Sequence, residues 1–395
     1  MNGTETEMLT GHNILCLATD PWHSIWRNRH QIMSRLAQAN RVLYVEPRAY
    51  PVNETLKAWV NSERQDERLK HIADDLWVYR HPTWGFVSRW SILDQVGLRL
   101  RILALRQVLK KLRMSSPILW VVDPRHGNMV GHFKESLVCY HVVDNYTAAS
   151  WRSAQARAAV ETGERLMLSI ADLVVVTSPA LLEDKKPHNR NVHLVRNAVD
   201  YPQFAAALKS FSGPPADVTD IPQPIIGYVG NVSGKLDFEL LDTVACARPN
   251  WSFVLVGPVS KQDSAVRRFA QDHPPNVHLL GQRDVADVPN YILACQVCLL
   301  PYRQDDYTQR IDALKLYEYL ACEKPIVATD IPTAREQSQV VHIAKDAADF
   351  VQKLDKAVES TLPEQRTLCR SIAMQNTWHQ RIEQLSFLIQ AALSA

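Results

Sequence analysis

The sequence predicts two successive doubly wound α/β domains, each a largely parallel sheet with helices on both faces. Three observations carry this. Short unbroken apolar runs alternate with segments of helical period, the alternation stops once in a proline-rich stretch, and it then begins again. A strand buried on both faces reads as a continuous apolar run, and parallel neighbours need helical crossovers between them. A length of 395 residues, at ~150 residues per domain, also implies two domains.

In the first half the expected strands are NILCLAT (13–19), RVLYVEP (41–47), PILWVVD (117–123), SLVCYHVVD (136–144) and DLVVVTS (172–178), with helical period at 25–39 and 151–170. Residues 201–224 hold five prolines among Ser, Gly and Asp, a composition expected of an interdomain linker. Strands resume at PIIGYVG (224–230), WSFVLVG (251–257), NVHLLG (276–281), QVCLLPY (296–302) and PIVATD (325–330), separated by helices at 236–247, 284–294 and 312–322. The expected division is an N-terminal domain at 1–200, a linker at 201–224, a second domain at 225–375, and a terminal helix at 376–395 packing back across the boundary. Open parallel sheets take ligands beyond the carboxyl ends of their strands, so both domains are expected to present loops to a cleft.

Composition excludes several classes. With 46% hydrophobic and 22% charged residues and a formal charge of +2, the chain is neither disordered nor a nucleic-acid binder by charge. Residues 1–200 carry 26 Lys and Arg against 20 acids, and residues 201–395 carry 18 against 22. The small total therefore joins a basic half to an acidic one. No basic n-region with an apolar run opens the sequence, and no stretch reaches the ~18 apolar residues of a membrane span. Seven cysteines, mostly in apolar segments, fit buried thiols in a reducing cytoplasm. Cys295-Gln-Val-Cys298 matches C-x-x-C, but no second Cys/His pair completes a zinc site.

The strongest local signal is DALKLYEYLACEKPIVATDIP (312–332), in which a helix carries Lys315 and Glu318 and a turn leads into a buried strand. In IIGYVGNVSGKLDFELL (225–241), Gly227, Gly230 and Gly234 permit close backbone approach after a strand, and Lys235 adds a positive charge. Backbone N–H groups and a lysine can stabilise a leaving diphosphate without a metal. No Asp-x-Asp, G-x-S-x-G or P-loop pattern occurs, so the metal-dependent sugar-transfer class, hydrolase and P-loop readings lack a basis.

These segments resemble the retaining glycosyltransferases of the family 4 type, whose signature reads roughly K-x-x-E-[YA]-[LM]-A-x-G-x-P-V-V-A-T. NVHLLGQRDVADVPNYILACQVCLLPY (276–302), VRNAVD (195–200) and VVVTSPALLE (174–183) match further elements in order, so the likeness covers most of 170–380. The resemblance implies the GT-B fold of two Rossmann-like domains, a nucleotide-diphosphate sugar as donor substrate, and no cofactor or metal. It implies donor binding by Gly230, Asn231, Lys235, Gln282, Arg283, Arg310, Lys315 and Glu318, with Glu318 on the ribose diol. Departures from the pattern are plain. The first carboxylate of the family's Glu-x7-Glu falls on Arg310, leaving Asp305, Asp306 or Asp312 as substitutes or Arg310 itself as a diphosphate contact. Asn231 stands for an arginine, Ala198 and Glu323 stand for glycines, and Asp20–Trp26 replaces a glycine-rich first loop.

In the first domain, His141 sits where the family places a histidine beside donor and acceptor, and Asp144 could be its polar partner or a general base. The alternative is a histidine satisfied within a strand. Asp123 is a weaker candidate of the same kind. Trp22, His23 and Trp26 follow the first strand and could meet an acceptor sugar, or pack. Residues 98–113 carry six cations and no acid, with Leu98, Ile102, Leu105, Leu109 and Leu112 along one face. This is either a core-packed helix with a solvated basic side or a contact with an anionic bilayer or lipid-linked acceptor. The expected function is a metal-independent, retaining glycosyltransferase in the cytoplasm or at the inner membrane face, acting on a saccharide or lipid-linked saccharide in surface polysaccharide or glycolipid synthesis. Two alternatives share the fold: a sugar-nucleotide epimerase, and a non-catalytic subunit that binds a partner glycosyltransferase.

Overall fold

The computed structural model describes residues 8–47, 68–82, 91–148, 153–260, 263–359 and 363–395. It divides into two compact units. The first comprises Met1–Val143, Ala154–Val195 and Ile382–Ala395, and the second Asp144–Ser153 and Arg196–Arg381.

The sheet of the first unit contains β1 (Asn13–Leu17), β2 (Arg41–Val45), β3 (Leu69–Ala73), β4 (Leu76–Tyr79), β5 (Ile118–Val121), β6 (Leu137–Val142), β7 (Leu173–Val176) and β8 (Val192–Leu194). Their order is β3-β4-β2-β1-β5-β6-β7-β8. The β3–β4 pair is antiparallel, and the remaining neighbours run parallel. The hairpin escapes apolar-run reasoning because β3 is half exposed.

The second sheet contains β9 (Ile225–Val229), β10 (Ser252–Val256), β11 (Val277–Gly281), β12 (Val297–Leu300), β13 (Ile326–Thr329) and β14 (Val341–Ala344). It is parallel throughout, in the order β11-β10-β9-β12-β13-β14. β9 is buried end to end, and at Gly227 there is no room for a side chain. An added Cβ would lie 2.0 Å from Cys295 Sγ and 3.1 Å from its Cβ. Gly227→Ala should cost about 2–3 kcal/mol by overpacking. Urea melts should show most of that loss recovered in the double variant with Cys295→Ala. Cys295 and Cys298 are buried free thiols, which is the core role rather than a metal site.

The proline-rich stretch differs from a linker. Tyr201–Ser210 is a helix with Pro202 in its first turn, where a missing N–H costs nothing. Phe204 and Val218 are buried in the second unit's core. The terminal helix Trp378–Leu393 begins in the second unit, and its residues from Ile382 onward group with the first. Among the described residues no helix is long and apolar enough to cross a membrane.

Candidate functional site

The second sheet reverses direction of growth between β9 and β12: the chain adds β10 and β11 on one side, then returns to add β13 and β14 on the other. The crevice beyond such a switch point is where open parallel sheets receive ligands. β9 runs out into Gly230–Lys235 and β12 into Pro301 and Tyr302. These two loops are laced together. The Asp237 N–H donates to the Pro301 carbonyl at 2.8 Å, the Arg303 N–H donates to the Lys235 carbonyl at 2.9 Å, and Leu236 bridges Tyr302. Lys235 Nζ lies 4.9 Å from the centroid of the Tyr302 ring, a cation–π contact.

Gly230 is required by crowding. Its N–H donates to the Val256 carbonyl at 2.8 Å, so that amide is already committed and is not offered to a phosphate. A Cβ at this position would lie 2.8 Å from Tyr228 Oη and 3.3 Å from Lys315 Cε. The loop backbone therefore passes directly over the Lys315 stem. Asn231 is half-buried, and its carbonyl accepts the Tyr228 hydroxyl at 3.2 Å.

Lys315 and Glu318 belong to the helix Leu314–Ala321, which buries Leu316, Tyr317, Tyr319, Leu320 and Ala321. That burial leaves positions 315 and 318, one turn apart, on the remaining face. Lys315 Nζ donates to Glu318 Oε2 at 2.7 Å, with both side chains only slightly exposed. The Val229 N–H donates to Tyr319 Oη at 2.9 Å, pinning this helix to the end of β9. The helix ends where the family has glycine. Glu323 takes a left-handed φ of 55°, and Arg370 Nε donates to its carboxylate at 2.7 Å.

Tyr302 closes the floor. Its ring meets Tyr228 edge-on at 6.4 Å. Burial pushes its hydroxyl pKa far up, Tyr228 lowers it through a hydrogen bond, and the charges of Asp144 and Glu318 raise it further. Asp144 thus belongs to the second unit and acts on the same tyrosine as Glu318. β6 ends at Val142, so Asp144 lies just beyond the strand that carries His141. Next to it, Asn145 Nδ2 donates to Asp306 Oδ2 at 3.3 Å, and Arg310 Nε donates to Asp306 Oδ1 at 2.9 Å. Of the three carboxylates weighed as substitutes for the missing glutamate, Asp306 is the exposed one paired with Arg310. Asp305 caps its own turn, accepting the Thr308 N–H at 2.9 Å.

Asp312 is buried beneath the chain that enters the second unit. Its Oδ2 accepts the Asn197 N–H at 2.6 Å, its Oδ1 accepts the Tyr317 hydroxyl at 3.0 Å, and Arg196 Nη1 lies 3.9 Å away. Burial raises its pKa to about 6, against the lowering influence of Arg196. Asn197, the first residue of the N-A-V-D element, closes the tie by donating its amide to the Asp312 carbonyl at 2.7 Å.

Other expected donor residues are used differently. Arg283 is held by Asp217, with Nη2 donating at 2.6 Å and Nε at 3.1 Å, and by Tyr291 Oη at 2.9 Å. Its guanidinium fixes the 213–221 segment rather than joining Lys315 and Glu318. Gln282 is exposed, and its carbonyl accepts from Arg283. Sequence reasoning missed Tyr228, Tyr302, Tyr319 and Asp217, since an apolar strand with a tyrosine in it reads as core.

In the first unit two expectations change. Trp22, at 4% exposure, sits in a knot with Trp26, His30 and Tyr44 at 5.0–5.8 Å between ring centroids. It is packing, not a surface for a sugar ring. Trp26 is half-buried and stacks on His30, whereas His23 is exposed. His141 is 1% exposed and meets the Trp120 ring edge-on at 5.5 Å. Burial, assisted by the Arg29 charge, lowers its pKa to about 3, so the ring is neutral at physiological pH. Its Nδ1 has no hydrogen-bond partner among the described residues. Asp123 accepts two hydrogen bonds from Arg125 Nε and one from its N–H, and so caps its turn.

Residues 223–360 match the family model described as Glycosyl transferases group 1. This segment is similar to the group 1 glycosyltransferase domains. The match spans β9 through the helix Ala347–Glu359 and includes the Gly230 loop, Lys315 and Glu318. A curated relative, "Putative teichuronic acid biosynthesis glycosyltransferase TuaH" of Bacillus subtilis (strain 168), is 28% identical over 280 residues, covering 66% of this chain and 68% of its own. The sucrose-phosphate synthase of Thermosynechococcus elongatus superposes with a TM-score of 0.70 at 17% identity, over 97% of this chain and 99% of its own. Anabaena Alr3699/HepE, in complex with UDP and glucose, gives 0.63 at 14%, over 96% and 99%. The fold is accordingly GT-B, and the segment similar to the group 1 model lies within the second unit.

Proposed function

We propose that the protein transfers a sugar from a nucleotide diphosphate to a hydroxyl acceptor with retained configuration and without a metal. The observation that carries this reading is the Gly230 backbone lying over Lys315, which is itself paired with Glu318. A lysine under a stretch of loop without a side chain suits a diphosphate as its charge partner, and a carboxylate one helical turn away suits a ribose diol. In the reaction the anomeric C–O bond to the diphosphate breaks and a C–O bond to the acceptor hydroxyl forms. The acceptor proton passes to the departing phosphate. Lys235 and Lys315 balance the charge that develops on that phosphate, where a fixed cation in a partly dry site is most effective.

The Bacillus relative's name supports a role in surface polysaccharide synthesis, with a saccharide or lipid-linked saccharide as acceptor. A nucleotide-sugar donor supports a site of action in the cytoplasm or at the inner membrane face. UDP is the first nucleotide to test, because the Anabaena relative binds it with glucose. Calorimetry should show Glu318→Ala binding UDP about tenfold or more weakly, as the loss of a charged acceptor predicts. Equal affinity would remove Glu318 from the ribose. Slow release of UDP from a UDP-sugar without acceptor, unaffected by EDTA, is the expected activity. Interconversion of two nucleotide sugars would instead identify an epimerase.

A further inference from the structure

We propose that the outward face of the helix Ser91–Lys111 docks on an anionic phospholipid bilayer. This helix has two apolar faces. Ile102, Leu105 and Leu109 point inward and are buried in the first unit's core, which accounts for the leucine stripe visible in the sequence. On the outside, Ile92, Val96 and Leu103 are 78%, 42% and 52% exposed. They alternate with Arg99, Arg106 and Lys110, which are also exposed.

Positions 92, 96, 99, 103, 106 and 110 advance by fours and threes, so the six side chains form a single stripe. It runs about 27 Å at ~1.5 Å per residue. Arg106 is steadied by its Nε–H, which donates to the His132 carbonyl at 2.8 Å. The one acid of the helix, Asp94, lies off the stripe, where its charge acts on Arg101. The outward face is therefore apolar and wholly cationic.

That combination selects the occupant. A solvated face has no use for three large aliphatic side chains in line, and a protein core would not accept three cations among them. At a bilayer surface both are satisfied at once: the aliphatic groups enter the headgroup–acyl boundary and the cations meet anionic headgroups. The helix belongs to the first unit and Lys315 and Glu318 to the second, so vesicle binding and the transfer reaction are tested by separate measurements.

The test is sedimentation of the full chain with phosphatidylglycerol-containing vesicles. Binding is expected at low salt, with loss at high salt and on purely phosphatidylcholine vesicles. The variant Arg99→Gln/Lys110→Gln should bind about 25-fold more weakly, at about fivefold per cation. Ile92→Ser/Val96→Ser/Leu103→Ser should lose about tenfold or more. Both sets are on the surface, so each variant should melt at the wild-type temperature and bind UDP as wild type does. Absence of sedimentation at low salt would overturn the proposal, as would equal binding of the variants or equal binding to phosphatidylcholine. A dimer abolished by the serine substitutions, without vesicle binding, would assign the face to a second copy of the chain instead.

Discussion

Replacing Lys315 with methionine is expected to lower kcat/KM for sugar transfer by about 100-fold or more while leaving the melting temperature nearly unchanged. Methionine keeps most of the stem on which the Gly230 backbone rests and removes only the ammonium. A preorganised cation that meets charge developing in the transition state contributes about 3–4 kcal/mol. The loss should therefore appear in kcat as well as in kcat/KM. A change confined to KM would mean that Lys315 holds the donor equally in ground and transition states. Glu318, deprived of its 2.7 Å partner, is partly solvated and can recruit water, so its loss of pairing should not unfold the helix. Steady-state kinetics with a UDP-sugar and a thermal melt of the same sample separate these outcomes.

The largest stability effect is expected at Asp312. Asp312→Ala leaves the Asn197 N–H and the Tyr317 hydroxyl without acceptors in a buried place and removes a carboxylate near Arg196. Orphaning buried polar partners costs about 3 kcal/mol in total, measurable by urea denaturation. Asp312→Asn should be far milder. Its amide oxygen can accept the Asn197 N–H, its NH2 can donate to Tyr317 Oη, and Arg196 still donates to Glu336 at 2.9 Å. The two variants also isolate a titration. Burial lifts the folded carboxyl to about 6, above the ordinary 3.8, so between those values the folded state holds a proton that the unfolded state has released. Wild-type stability relative to Asp312→Asn should thus be greatest below pH 4 and fall as pH rises through about 6, by at most about 3 kcal/mol at ~1.4 kcal/mol per unit.

The ten strands expected from apolar runs are all present, because a strand covered on both faces has no freedom to include polar residues. The short β4, β8 and β14 and the half-exposed β3 escape the same reasoning, since runs this short or this exposed do not stand out by their own composition. The helix with Lys315 and Glu318 was legible for a related reason: burying Tyr317, Leu320 and Ala321 leaves those two charges together on the remaining face. Glu323 shows the limit. Its departure from glycine is visible in the sequence, but only the backbone shows the left-handed turn that it must occupy.

Side-chain pairings were less accessible, for the opposite reason. An arginine after a strand can meet a ligand or a carboxylate, and Arg283 meets Asp217 from 66 residues away. A tryptophan in a loop can face solvent or core, and Trp22 enters an aromatic knot closed by Tyr44.

The sequence by itself determined the two parallel sheets, the switch-point loops and the Lys315–Glu318 pair, because periodicity and burial act over a few residues and leave their mark on composition. Only the tertiary structure decided that His141 is a dry, neutral ring, that Asp312 ties Asn197 in place, and that a helix with a leucine stripe turns a second apolar stripe outward. Those outcomes depend on which distant surface arrives opposite each side chain. Contacts of that kind are set by packing, and a chain read in order does not display them.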